Sequence, residues 1–164
     1  MIVKVFRKIK TFRDDKGDLV ELPLPAIQSA EAAAVDLQSP VPVSIGPGQR
    51  VVVDTGLICR APRNHCFLVL SRSGLAAKTG VIVLNAPGLI DRDYSGPEDT
   101  IKVILHNTSD VQHDLPAGSR IAQLMLNPFS SIEWSEQSSA DFVGTFNRGG
   151  LGSTGGFLPT SGNP

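Results

Sequence analysis

Glycine and proline interrupt this chain at short intervals, and this punctuation limits the possible folds more than any other feature of the sequence. The 164 residues include 16 glycines and 12 prolines, above their usual combined share of about 12%. They separate short runs rich in valine and isoleucine, a pattern typical of strands joined by turns. The predicted strands are Ile2–Ile9, Val41–Ile45, Gln49–Arg60, Cys66–Leu70, Val81–Leu84, Ile101–His106 and Arg120–Leu126.

One segment predicts a helix instead. Ser73–Gly80 contains good helix formers and ends in a glycine, which suits a left-handed helix stop. The predicted fold class is therefore all-β, a barrel or sandwich with one short helix.

Composition and charge narrow the class of protein further. With 41% hydrophobic and 19% charged residues, the chain as a whole is predicted to fold, and not to be disordered. A net charge of −1 argues against binding nucleic acid through a general basic surface. The charged N-terminus does not fit a signal peptide, and no apolar run approaches the ~20 residues of a membrane span. We therefore expect a soluble, cytoplasmic protein without a membrane or nucleic-acid partner.

The two cysteines also favour a cytoplasmic location. Cys59 and Cys66 are too few for a disulfide framework or a four-ligand zinc site. Both are predicted to be buried thiols in a reducing environment.

The C-terminal end of the chain differs from the rest. After Trp134 the sequence turns polar, and a glycine-rich stretch follows at Arg148–Gly156. Such a stretch buries too little apolar surface to offset its backbone entropy. The sequence therefore predicts a β domain over residues 1–134 and a flexible tail over 135–164. This tail either has no function of its own or closes over an anion, which Arg148 and the glycine amides after it would bind.

Two further segments carry groups suited to anions. Ser71–Gly74 lies where a strand gives way to the predicted helix, so it is either an anion site or an ordinary helix cap. The segment Gly118–Leu124 puts Arg120 and Gln123 three residues apart, on opposite faces of a regular strand. Arg120 suits an acidic partner at least as well as a substrate, whereas the Gln123 amide suits a phosphate or a bound water.

The segment Asn85–Gly96 is the richest in candidate chemistry. A plain hairpin with polar turn residues accounts for its composition. The alternative is that Asp91 or Asp93, on one face, acts as a general base while the ring of Tyr94 packs on a sugar. Asp36 follows an apolar stretch, and a carboxylate there needs an arginine or a hydrated metal as a partner.

Taken in order, these segments resemble the five motifs of the homotrimeric dUTPase family. The most specific is the third, which contains Gly-Leu-Ile-Asp-x-Asp-Tyr. The five matching segments are Ala32–Leu37, Ser71–Ala76, Asn85–Gly96, Gly118–Leu124 and Arg148–Gly155.

The resemblance implies a fold, a reaction and an assembly. The fold is a distorted β jelly roll of the β-clip type. The reaction is Mg²⁺-dependent hydrolysis of dUTP to dUMP and pyrophosphate by water attack on the α-phosphorus, which keeps uracil out of DNA and supplies dUMP for dTMP synthesis. The active assembly is a homotrimer in which two subunits form the pocket and the third contributes its tail.

On the phosphate side, the resemblance assigns one group of residues to the triphosphate and its metal. Asp36 contacts Mg²⁺ through water, and Gln123 binds the α-phosphate. The residues assigned to the remaining phosphate contacts, or to the tail that closes over them, are Arg72, Ser73, Gly74, Arg148, Gly152 and Ser153.

On the nucleoside side, the resemblance makes Asp91 the carboxylate that deprotonates the attacking water. Tyr94 packs under the deoxyribose and leaves no room for a 2′-hydroxyl. The hairpin from Val81 to Tyr94 encloses uracil, with contacts from Asn85, Gly88 and Ile90.

Three positions depart from the family pattern. Ala34 stands where the first motif usually has glycine, and Pro97–Thr100 lengthen the turn after the third motif. Leu151 stands where the family commonly stacks a phenylalanine on uracil, which predicts a modest loss of substrate affinity. Phe146 and Phe157 are the candidates to replace that ring.

Two other functions remain open from the sequence. A dCTP deaminase of the same fold would need a glutamate in the strand Ile101–Leu105, which has no acid, and an arginine where Ala76 and Ala77 stand. A protein that acts mainly by binding a protein partner is the second alternative.

Overall fold

The computed structural model describes residues 2–138. The predicted tail residues from 139 onward, including Arg148, Leu151, Gly152 and Ser153, lie outside the described residues. Contacts divide the chain into two units, Met1–Ser131 and Ile132–Pro164; the elements below all belong to the first. They are β1 (Lys4–Arg7), β2 (Thr11–Arg13), β3 (Leu19–Glu21), β4 (Ala34–Gln38), β5 (Val43–Ile45), β6 (Arg50–Asp54), β7 (Leu57–Arg60), β8 (His65–Leu70), α1 (Ser73–Thr79), β9 (Val81–Val83), β10 (Gly88–Ile90), β11 (Lys102–Asn107), β12 (His113–Leu115) and β13 (Arg120–Pro128).

A four-stranded antiparallel sheet in the order β10-β8-β13-β4 carries most of the candidate site residues. Its long strand β13 pairs with β8 on one side and with β4 on the other, so that Gln123 lies opposite both Leu70 and Asp36. A bulge between Arg120 and Ala122 shifts the register against β4.

A three-stranded sheet in the order β6-β11-β9 faces this sheet across the core. The core is one continuous cluster that contains Leu37, Val69 and Leu124 from the first sheet and Val103 and Leu105 from the second. Three two-stranded ribbons, β1-β7, β2-β3 and β5-β12, complete the fold. The all-β fold class is thus confirmed, with both sheets burying one apolar face.

The predicted helix is also confirmed. It spans Ser73–Thr79, and Gly80 ends it with φ of 71° and an N–H that donates to the carbonyl of Ala76 at 2.8 Å. A left-handed glycine in this position is a common helix stop.

Two strand predictions need correction. The predicted strand Gln49–Arg60 is two strands, because the chain bends at Gly56, where φ is +67° and a Cβ would lie 2.6 Å from Ile9. The segment from Val81 to Tyr94 is not a regular hairpin: β9 pairs with β11, whereas β10 pairs with β8 in the other sheet. The turn at Asn85 therefore carries the chain from one sheet to the other.

Within residues 2–138, no helix is long and apolar enough to cross a bilayer.

Candidate active site

A partly buried ion-pair cluster forms around Asp36 in β4. Its side chain is 11% exposed. Arg72 donates from Nε to Oδ1 of Asp36 at 2.8 Å, and Arg120 donates from Nη1 to Oδ2 at 3.3 Å. Arg72 also donates from Nη1 to the carbonyl of Arg120 at 3.1 Å. The predicted acidic partner of Arg120 is therefore Asp36, and the arginine partner that Asp36 needed is present twice.

Gln123 lies beside this cluster. It is partly exposed between the buried Ala122 and Leu124, so it points away from the core, and its register opposite Asp36 places both on the same face of the sheet. In a regular strand Arg120 would point to the other face, as the sequence predicted. The bulge after Arg120 adds one residue to the strand and so turns the Arg120 side chain to the face that carries Gln123. Arg120 therefore reaches the same Asp36 carboxylate.

The strand-to-helix junction is next to these residues. After β8, the Oγ of Ser71 accepts a hydrogen bond from the amide of Val83 at 2.8 Å and ties the junction to β9. Arg72 occupies the N-cap of α1 and makes no side-chain capping bond, and the first turn has no acidic residue. Ser73 and Gly74 are exposed. The simple capping interpretation of Ser71–Gly74 is therefore wrong, because neither serine caps the helix.

The turn between β9 and β10 packs closely on itself. The side chain of Asn85 lies against Gly88, where a Cβ would be 3.1 Å from Asn85 Nδ2 and 3.4 Å from Val69 Cβ. Gly88 is buried although its neighbours in the turn are exposed. Glycine therefore lets the Asn85 amide approach the β10 backbone, while Ile90 at the end of β10 packs against the core.

Asp91 follows β10 directly, with an exposed carboxylate. Among residues 2–138 this carboxylate has neither a hydrogen bond nor an ion pair. A turn follows, in which the amide of Tyr94 donates to the carbonyl of Asp91 at 3.2 Å. The partly buried Tyr94 donates from its Oη to the carbonyl of Thr100 at 3.2 Å. The Asp91 carboxylate is thus open to a water or a substrate.

One chain does not bring these two groups of residues together. Ile90 pairs with Phe67 near the start of β8, whereas Gln123 pairs with Leu70 at its end. With ~3.4 Å per residue along a strand and ~4.8 Å between strands, the backbones of Asp91 and Gln123 are about 17 Å apart. Since side chains stand roughly perpendicular to a sheet, this gap is too wide for one phosphate group and one water to bridge.

The donor set fits a hydrated metal but not a directly coordinated one. No group of three or more His, Cys, Asp or Glu side chains that could hold a metal occurs in the described part of the chain. Oδ1 of Asp36 accepts one short bond, from Arg72, which leaves a lone pair for a metal-bound water. Mg²⁺ usually keeps several of its waters in such sites.

Comparisons with known proteins show which family this chain resembles. The dUTPase family model matches residues 20–155. The deoxyuridine 5′-triphosphate nucleotidohydrolase of Anaplasma marginale (strain St. Maries) is 38% identical over 150 residues, which cover 90% of this chain and 98% of that protein. The dUTPase structure from Streptococcus mutans superposes with a TM-score of 0.63 at 31% identity, over 68% of this chain and 89% of that one. The dUTPase of Staphylococcus bacteriophage 80alpha, solved with dUPNHPP, gives a TM-score of 0.76 at 22% identity, over 94% and 98%.

Fold and sequence together define a hydrolase of nucleotide metabolism built on an all-β scaffold. The chain belongs to the dUTPase family.

Proposed function

We propose that this chain hydrolyses dUTP to dUMP and pyrophosphate by water attack on the α-phosphorus, with Asp91 as the general base. The observation that carries the proposal is the unpartnered, exposed carboxylate of Asp91 within the stretch that matches the dUTPase family. A general base needs a free lone pair within reach of the water it deprotonates. Catalysis of this kind depends mainly on positioning and on charge stabilisation.

The nucleoside is held on the same segment as Asp91. Asn85, Gly88 and Ile90 line the slot for uracil, and the close packing of Asn85 on Gly88 gives that slot a fixed width. Tyr94 packs under the deoxyribose and excludes a 2′-hydroxyl. A slot of fixed shape discriminates between bases and sugars by steric fit and by the polar groups it leaves unpaired.

The triphosphate is bound by the residues at the other end of β8 and on the strands beside it. Gln123 donates to the α-phosphate, and Arg72, with Ser73 and Gly74, binds the remaining phosphate oxygens. Asp36 holds Arg72 through its Nε, which leaves N–H groups of the guanidinium free for phosphate.

Mg²⁺ belongs to this proposal as a metal carried by the substrate. Asp36 would hold it through water, as the single short bond at its Oδ1 allows, and the ion supplies charge neutralisation to the triphosphate.

The assembly is part of the same proposal. Because about 17 Å separate the Asp91 and Gln123 backbones within one chain, a complete site requires Asp91 from one subunit and Gln123 from another. A homotrimer supplies this at each of its interfaces, and the Arg148 segment, with Gly152 and Ser153, comes from the third subunit. A heterologous contact of this kind closes into a ring of three.

The cellular role follows from the reaction. Removing dUTP keeps uracil out of DNA, and the product dUMP supplies dTMP synthesis. We assign the enzyme to the cytoplasm, which the two buried free thiols Cys59 and Cys66 support. Deamination of dCTP is not favoured, because β11 contains no acid and the chain matches the dUTPase family.

Pyrophosphate release tests the proposal. The wild-type protein is expected to release pyrophosphate from dUTP far faster than from dCTP, dTTP or UTP, and only with Mg²⁺. Asp91→Asn should lower kcat by about 10²- to 10⁴-fold. Asp93→Asn, at a neighbouring residue that is also exposed, serves as the matched control. Undiminished turnover by Asp91→Asn would show that the general base is another group. Release of ammonia from dCTP would show that the protein is a deaminase instead.

A further inference from the structure

The loop after Tyr94 holds the acceptor for the Tyr94 hydroxyl. Tyr94 Oη donates to the carbonyl of Thr100 at 3.2 Å, and this is the chain's only tyrosine. The loop between the two residues is closed by its own bonds: the amide of Gly96 donates to Oδ2 of Asp99 at 2.7 Å, and the amide of Thr100 donates to the carbonyl of Glu98 at 2.9 Å. The four residues that lengthen this turn thus end in the carbonyl that orients the phenol.

Thr100 is itself fixed to the neighbouring sheet. It is 4% exposed, and its Oγ1 donates to Oδ2 of Asp54, the last residue of β6, at 2.8 Å. Asp54 is held in turn, because its Oδ1 accepts from the amide of Gly56 at 2.8 Å. Lys102 approaches the same Thr100 hydroxyl at 3.4 Å. The residue that supplies the acceptor carbonyl is therefore tied through its side chain to the end of β6.

We propose that Thr100 and Asp54 are positioning residues that set the height of the Tyr94 ring and so the rejection of nucleotides with a 2′-hydroxyl. This rests on the proposed function, in which that ring packs under the deoxyribose. Neither residue touches substrate; each acts through the phenol. The Tyr94 ring can reject a nucleotide with an extra 2′-hydroxyl only if the ring cannot shift aside. The two linked hydrogen bonds, from Tyr94 to Thr100 and from Thr100 to Asp54, restrict that shift.

Kinetics with dUTP and UTP test this directly. Thr100→Val removes the hydroxyl but keeps the shape and the carbonyl, and it should lower the ratio of kcat/KM for dUTP over UTP by about 3- to 10-fold, as loss of one hydrogen bond implies. Thr100→Ser, which keeps the hydroxyl, should retain the wild-type ratio. Thr108→Val is the matched control. It also removes a 2.8 Å hydrogen bond from a threonine hydroxyl, here to the carbonyl of Gly80, but this bond is not linked to Tyr94.

A double-mutant cycle separates positioning from stability. In a Tyr94→Phe background, Thr100→Val should have little further effect on the ratio, since the hydroxyl it positions is gone. An equal effect in both backgrounds, or a lower Tm with an unchanged ratio, would overturn the proposal. If Thr100→Val does not fold, Asp54→Asn takes its place in the cycle.

The single tyrosine gives a readout that needs no turnover. In protein with ¹³C-labelled tyrosine, the Tyr94 ring signal should shift in Thr100→Val and stay in place in Thr100→Ser. An unmoved signal in Thr100→Val overturns the proposal even if the enzyme is active. Absence of pyrophosphate from the wild-type protein would overturn the proposed function instead, while the ring signal still decides whether Thr100 positions the phenol.

Discussion

Arg72 donates from Nε to Oδ1 of Asp36 at 2.8 Å, across the sheet from the end of β8 to β4. Arg120 approaches the other oxygen of the same carboxylate at 3.3 Å. One carboxylate thus balances two guanidinium groups, which would otherwise repel each other. It also fixes where Arg72 presents its remaining N–H groups, because a charge-assisted bond from Nε sets the plane of the guanidinium.

Replacing this carboxylate should affect both stability and substrate binding. We expect Asp36→Ala to lower the free energy of unfolding by about 1–2 kcal/mol, mainly because it leaves the partly buried Arg72 without its acceptor; the exposed Arg120 adds little. It should also raise KM for dUTP, since Arg72 loses its orientation. Urea denaturation and steady-state kinetics measure the two effects. Asp15→Ala, at an exposed position, is the control, and equal stability of the two variants would contradict the expectation.

Mixed oligomers should recover activity that each parent variant lacks. Asp91→Asn removes the proposed base. Gln123→Ala removes the contact to the α-phosphate, about 17 Å from Asp91 in the same chain. If each site takes these residues from different subunits, random 1:1 mixing gives intact pairs in about a quarter of the sites of a cyclic trimer. Activity after co-refolding, with the oligomeric state checked by light scattering, measures this. Confirmed mixed trimers without recovery would place both residues in one subunit's site.

Much of the fold followed from local patterns in the sequence. The strand Cys66–Leu70 and the helix ending at Gly80 were predicted because valine-rich runs and a left-handed glycine act locally. The ribbon of β2 and β3 was missed. Its strands have three residues each, and β3 is exposed along its whole length. The turn between them depends on Oδ1 of Asp14, which accepts from the amides of Lys16 and Asp18.

The candidate site was predictable as a set of residues but not as an arrangement. The need of Asp36 for a partner is a property of one partly buried carboxylate. That the partner is two arginines depends on a bulge after Arg120, which no local pattern predicts. The division of the site between the two ends of β8 depends on strand register, and the bond from Tyr94 to Thr100 depends on how the loop closes. Such long-range pairings are set by the packed sheets and not by nearby residues.

A larger side chain at Gly88 should weaken substrate binding more than it lowers stability. In Gly88→Ala the new Cβ would lie 3.1 Å from Asn85 Nδ2 and 3.4 Å from Val69 Cβ, so the exposed Asn85 gives way. We expect KM for dUTP to rise about tenfold, a loss of roughly 1.4 kcal/mol, with a much smaller change in stability. Gly46→Ala is the control, since its Cβ would meet only the flexible end of Gln49. An unchanged KM in Gly88→Ala would show that Asn85 makes no contact to the base.

The thiol of Cys59 should give the stability a dependence on alkaline pH. Burial raises its pKa from the ordinary value of 9.0 to about 11, so the folded state keeps a proton that the unfolded state loses. The stabilising effect of this proton is complete below pH 9 and is lost as the pH rises, which lowers the free energy of unfolding by roughly 2–3 kcal/mol between pH 9 and pH 11. Urea denaturation across this range should therefore show a steeper decline for the wild type than for Cys59→Ala. Cys66→Ala, at the other buried thiol, should keep the wild-type slope, because it leaves Cys59 in place. If the free energy of unfolding fell equally with pH for the wild type and Cys59→Ala, the thiol would have the same pKa in the folded and unfolded states. Burial would then not raise its pKa.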